Sequence, residues 1–223
     1  MKSYFVTGTD TNVGKTYVTS KIASSLIKLK INVGIMKPFA AGIKSNTKSD
    51  IDILSTAAKI NDHKKLINPF FFPVNASPYS FIKNYNISID LDIIFKSFAK
   101  LSSKHDVMLV EGIGGLMTPI FKNYFIVNLI HDLDLEALIV TDTKLGTLNH
   151  TIMTCELCKK YDVKIKGVII NNLTLNNYNS DELKSNLEEL TNIPVMSIFP
   201  NEKLNLSNGF ILKNLDLKSV FEI

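Results

Sequence analysis

The chain has 223 residues, 45% of them hydrophobic, a length that suits one domain spanning 1–223 with an ordinary core. No apolar run approaches the roughly 20 residues that cross a bilayer, and "MKSYFVTG" enters an apolar strand directly, without the pattern of a signal peptide, so a cytoplasmic protein is expected. The net charge of +4 rests on lysine alone, because no arginine occurs; this excludes the commonest reader of guanine edges and any arginine finger, and argues against nucleic acid as a partner.

In chain order, "KSYFVTG" reads as a first strand. From Lys15 to about Lys30, Val18, Ile22, Leu26 and Leu29 recur at helical spacing. "INVGIMKP" is a second strand stopped by Pro38. The segment from Gly42 to Ser88 is less regular, and its "NPFFFPVNASPYS" reads as loops near a site rather than a second domain. "IDLDIIFKSFAKLSSK" is amphipathic and leads into "DVMLVEG", a continuous apolar run of the fully buried kind. "EALIVTDT" and "VKIKGVIINN" have the same character, with the helical "GTLNHTIMTCELCKKY" between them. "SDELKSNLEELTN" is a helix before a last strand, "IPVMSIFP", and the tail "GFILKNLDLKSVFEI" is expected to pack on the sheet. This alternation predicts an α/β, P-loop NTPase-like domain, a mostly parallel sheet with helices on both faces and the ligand site beyond the carboxyl ends of the strands.

The stretch "FVTGTDTNVGKT" departs from the Walker A pattern by one residue. Gly14, Lys15 and Thr16 fit its end, but Gly8 lies one place early and Thr9 stands where the first glycine belongs. Strand before and helix after suit a phosphate cradle, in which backbone N–H groups and the helix dipole face the anion. Lys15 would then reach the β- and γ-phosphates and the Thr16 hydroxyl a Mg²⁺ ion. Asp10 occupies the place of the signature lysine of the partition ATPases, which have the opposite charge there.

Glu111 ends the buried strand "DVMLVE", where an ionised carboxylate needs a cation or donor, and Gly112 and Gly114 beyond it let backbone approach a ligand. Asp50 and Asp52 are both candidates for a second acid, and spacing does not separate them. Lys37 ends the second strand and could share the γ-phosphate with Lys15. Cys155 and Cys158 lack a second ligand pair and fall on one helix face, which reads as packing rather than metal or redox chemistry.

Taken together, "YFVTGTDTNVGKT", "KPFAAG", "SD" at 49–50, "NASP" at 75–78, "VEGIGG", "TDTKLGTLNH", "GVIINN" and "IFP" resemble the dethiobiotin synthetase family over nearly the whole chain. The longer glycine loop is that family's own form. The resemblance implies carboxylation and cyclisation of 7,8-diaminononanoate with CO₂ and ATP, through a carbamate and a carbamic–phosphoric anhydride. It implies catalytic roles for Thr11, Lys15 and Lys37, and Mg²⁺ held by Thr16, Asp50 and Glu111. Nucleotide contacts would come from Asn12, Val13, Gly14, Lys15, Thr16 and Tyr17, and from Gly112, Ile113 and Gly114. Asn171, Asn172, Pro200, Asn201 and Glu202 would surround the base. Ala41, Ser77 and Pro78, with Thr11 and Lys37, would contact substrate; Leu145, Gly146 and Asn149 would hold its carboxylate across the interface of a homodimer. Ala41 replaces a serine common in the family, and Asn12 and Asn172 replace acids.

Overall fold

The computed structural model describes residues 2–42, 49–172, 178–200 and 217–221. Six parallel strands form the central sheet: β1 (Lys2–Gly8), β2 (Val33–Met36), β5 (Val107–Glu111), β8 (Glu136–Thr141), β9 (Ile165–Asn171) and β10 (Val195–Phe199), in the order β10-β9-β8-β1-β5-β2. Strand β1 therefore separates two runs of crossovers. The chain first winds to β2 and β5 on one side, then to β8, β9 and β10 on the other, and a crevice opens at the carboxyl end of such a switch.

Strict alternation along the strands builds the two cores. On β1, Tyr4 and Val6 face one layer and Phe5 the other; on β5, Val107 and Leu109 oppose Met108 and Val110. The first layer is covered by α1 (Lys15–Lys28), through Val18, Ile22 and Leu26, and by α2 (Asp50–Ala58), through Leu54 and Ala58. The second layer takes α5 (Asp92–Ser102), α6 (Ile126–Asp132), α7 (Thr147–Lys160) and α8 (Ser180–Thr191). Full burial of each such Leu or Ile is worth about 1.5–3 kcal/mol, so both faces contribute to stability. At the end of the described chain, α9 (Leu217–Phe221) buries Leu217, Val220 and Phe221, and Phe221 meets Tyr4 edge-on at 4.9 Å. This part of the tail packs on the sheet, as expected.

The described part of the segment from Gly42 to Ser88 is more regular than its sequence suggested. Besides α2 it holds α3 (Lys64–Ile67), β4 (Phe70–Phe72) and α4 (Pro78–Tyr85), and β4 pairs in parallel with β3 (Phe39–Ala41). These elements are too short to show a hydrophobic period. The cues present were local: Ser49 and Ser77 cap α2 and α4 by accepting from the amides of Asp52 and Ser80, and Pro78 opens α4. A small antiparallel pair, β6 (Pro119–Phe121) and β7 (Tyr124–Phe125), completes the fold.

Cys155 and Cys158 lie fully buried on the inner face of α7. Burial, with Glu156 adding to it, pushes the Cys155 thiol up to about 11, and burial with Cys155 beside it pushes Cys158 up to about 12. Both are packing residues. No helix among the described residues is long and apolar enough to cross a membrane.

Candidate active site

The carboxyl ends of β1, β2 and β5 open into a cavity of about 1230 Å³. Its floor is the loop from Thr9 to Gly14, with Lys15 and Thr16 at the start of α1. This loop ends at Gly14, whose φ of 88° no β-carbon would tolerate comfortably, and Gly14 caps α1 without a side-chain acceptor or an acid in the first turn. The N-terminus of α1 is thus left electrically positive and open to an anion. Asp10 serves the loop itself, its Oδ1 accepting from the Thr11 amide at 2.6 Å. Lys15 Nζ donates to the Asp10 carbonyl at 2.8 Å. Burial draws the Lys15 ammonium down to about 8, opposed by the attraction of Glu111 and reinforced by Lys37.

Glu111 is fully buried, and its Oε1 accepts from the Thr16 hydroxyl at 2.6 Å and from Lys37 Nζ at 2.5 Å. Lys37 Nζ also meets Asp50 Oδ2 at 2.5 Å. Burial alone would lower the Lys37 pKa, but Glu111 and Asp50 outweigh it and hold it above the ordinary lysine value. The structure places the two acids that spacing left undistinguished in different surroundings. Asp50 faces the cavity, whereas Asp52 is tied to Ser49 and Lys64 at the surface.

Lys37 is held by its backbone as well. Its amide donates to the Ile67 carbonyl at 2.7 Å, and its carbonyl accepts from Asn68 Nδ2 at 2.7 Å. Asn68 was missed in the sequence, since an asparagine between two apolar runs carries no motif. Thr118, Asn75 and the α7 residues His150, Met153, Thr154 and Leu157 also line the cavity. The α7 set lies at helical spacing on one face, a signal the sequence did contain.

Of the residues singled out from the sequence, Thr11, Asn12, Gly14, Lys15, Thr16, Lys37, Ala41, Asp50, Ser77, Glu111, Gly112, Ile113 and Gly114 line this one space. Val13 points into the core, and its carbonyl accepts from Asn171 Nδ2 at 3.0 Å. That bond uses one N–H of the Asn171 amide, and Oδ1 is buried with no partner among the described residues. Asn172 accepts from Thr143 at 3.3 Å, and Tyr17 meets Phe199 edge-on. Pro200 follows β10, half-buried; Asn201 and Glu202 lie outside the described residues. Pro78 is buried at the start of α4, away from the cavity lining. The single chain does not bring Leu145, Gly146 or Asn149 to the cavity, and Leu145 is 89% exposed.

A phosphate loop at the switch point, a buried acid ending the adjacent strand and a lysine between two carboxylates define a P-loop nucleotide-binding protein. A family model described as an AAA domain matches residues 2–206. An ATP-dependent dethiobiotin synthetase from Nitrosopumilus maritimus is 49% identical over 228 aligned residues, covering all of both chains, and one from Endomicrobium trichonymphae is 38% identical over 95% of this chain and 99% of its own. The chain belongs to the dethiobiotin synthetase family. Among solved structures, a plasmid partition protein from Borrelia burgdorferi bound to AMPPNP matches with a TM-score of 0.57 at 14% identity, over 99% of this chain and 98% of that one. A ParA family ATPase from Chlorobium tepidum matches at 0.54 and 19% identity, over 98% and 92%. These last two likenesses concern the fold alone.

Proposed function

We propose that the protein is an ATP-dependent cyclo-ligase that converts 7,8-diaminononanoate and CO₂ to dethiobiotin in biotin biosynthesis. Family membership supports the reaction, and one observation carries the reading of the site. The phosphate loop, Lys37 and the wall formed by Ala41, Asn75 and Ser77 bound the same cavity, so a γ-phosphate and a second substrate can share it.

In this reading one amine takes up CO₂ as a carbamate, whose oxygen attacks the γ-phosphate and displaces ADP. The second amine then attacks the carbamoyl carbon, closes the cyclic urea and expels phosphate. Lys15 and Lys37 neutralise charge on the transferring group, and Thr11 orients the carbamate from the loop. Holding both amines, carbamate and phosphate in one enclosure removes most of the entropic cost of ring closure. Asn171 Oδ1 would accept from the adenine amino group.

Mg²⁺ is part of the same proposal. Thr16, Asp50 and Glu111 offer the hard oxygen donors that Mg²⁺ selects, and Glu111 Oε2 is buried without a hydrogen-bond partner among the described residues. The ion would be held by two carboxylates, a hydroxyl and the phosphates themselves. The ion would add positive charge at the β- and γ-phosphates. Since Lys37 lies against both carboxylates, it would turn toward the phosphates when the ion enters.

The enzyme acts in the cytoplasm as a homodimer, with exposed Leu145 and neighbouring Gly146 and Asn149 reaching the partner's substrate; its mass in solution tests that arrangement. The reaction is tested by phosphate release from MgATP with bicarbonate, with and without the diamine. Diamine-dependent release with dethiobiotin detected by mass is expected; release indifferent to the diamine would overturn the reading.

A further inference from the structure

Thr9 is the residue that lengthens the phosphate loop, and its hydroxyl turns away from the loop into a chain of threonines. Thr9 Oγ1 lies 3.2 Å from Thr141 Oγ1, at the end of β8. Thr141 Oγ1 in turn lies 2.6 Å from Thr147 Oγ1 and 2.9 Å from Thr151 Oγ1, both on the first two turns of α7. Thr141, Thr147 and Thr151 are buried, so water does not compete for these contacts.

Proton counting gives the chain a direction. Thr147 donates to the Asp142 carbonyl at 2.9 Å and Thr151 to the Thr147 carbonyl at 2.7 Å. Those bonds occupy the Thr147 and Thr151 protons, which favours Thr141 giving its single proton to one of them and accepting from Thr9. The Thr9 hydroxyl thus joins the loop to α7. Its main chain is fixed independently, since the Thr9 amide donates to the Val140 carbonyl at 3.0 Å.

The two ends of this chain are the two walls of the cavity. Thr9 lines it at the phosphate loop, and α7 lines it through His150, Met153, Thr154 and Leu157. We propose that Thr9 is a positioning residue, whose hydroxyl holds the first turns of α7 in register with the phosphate loop, so that nucleotide on the loop is felt at α7 and the second substrate meets a correctly placed wall. The kinetic part rests on the cyclo-ligase reading above; the link between nucleotide and α7 does not.

The test uses the full chain and Thr9→Val, which keeps the shape and the main-chain bond but lacks the hydroxyl, with Thr9→Ser as the conservative control. Hydrogen exchange at the His150 amide, which donates to the Gly146 carbonyl at 3.0 Å, is followed with and without ADP. ADP is expected to slow this exchange in the wild type and in Thr9→Ser but not in Thr9→Val, with the thermal midpoint of the ADP-free variant and its affinity for ADP close to wild type. Diamine-dependent kcat is expected to fall about tenfold in Thr9→Val, the size of loss that a small misplacement produces. Protection that persists in Thr9→Val, or that is absent from the wild type, overturns the proposal. So does a Thr9→Val loss explained by a lowered midpoint and shared by Thr9→Ser. A wild-type enzyme that ignores the diamine overturns the reaction instead, and the exchange result still decides the role of Thr9.

Discussion

Lys37 and Glu111 meet as an ion pair at 2.5 Å beneath the phosphate loop, with the lysine side chain 6% exposed and the carboxylate not exposed at all. Each is costly to bury alone. The pair therefore stores at the cavity floor a positive charge that a nucleotide phosphate can claim, and a carboxylate that a metal ion can claim.

Removing one partner separates these roles. Lys37→Ala should lower turnover by about 10²-fold or more while leaving ADP binding largely intact, since the proposed reaction has the lysine act on the transferring group. Without Mg²⁺ the variant should also lose about 3 kcal/mol of stability, because the buried Glu111 loses its ion-pair partner and keeps the hydrogen bond from Thr16. Steady-state rates, ADP titration calorimetry and urea unfolding check the three parts. A near-wild-type rate would remove Lys37 from the chemistry.

Gly8 tests the shape of the long loop. A β-carbon there would lie 2.8 Å from Val13 Cγ2 and 3.0 Å from both the Asp10 carbonyl and Lys15 Nζ. Gly8→Ala should weaken ATP binding about tenfold or more, because backbone in the loop must shift to make room. Calorimetric titration with ATP measures this, and unchanged affinity would mean that the loop can open without loss.

Ala41 lines the cavity, at the position where the resemblance to the family implies a serine. Ala41→Ser should hold or raise kcat/KM for the diamine, by up to about fivefold if one hydrogen bond of about 1 kcal/mol is gained. A large loss would show that this wall is arranged for a methyl group.

The α7 thiols give a pH-dependent prediction. With pKa values pushed up to about 11 and about 12, Cys155 and Cys158 stay neutral at pH 8 and should not react with a thiol reagent until the protein is unfolded. The sign for stability follows. Above the ordinary value of 9.0 the unfolded thiols lose protons that the native ones keep, so stability should fall as pH rises from about 9 toward 11–12. Urea unfolding across that range measures the slope.

Much of this protein is written locally in its sequence. The β1–loop–α1 unit is contiguous, so Gly8 to Thr16 could be read as a phosphate cradle without knowing what packs on it. The continuous apolar runs of β5, β8 and β9 state their own burial, and the acid ending β5 declares a partner before the partner is known. What lay beyond reach was set by distance along the chain. Asp50 rather than Asp52 faces Lys37 because α2 docks on α1 and β2, and Asn68 holds Lys37 from 31 residues away. Asn171 is anchored because Val13, 158 residues earlier, accepts from its Nδ2, which leaves Oδ1 buried without a partner among the described residues. Sequence determined the elements and their chemistry, since propensity, capping and periodicity act over a few residues. The tertiary structure alone decided which carboxylate, amide and hydroxyl meet, because hydrogen bonds and ion pairs form between groups that only packing of the two layers on the sheet brings within 3 Å.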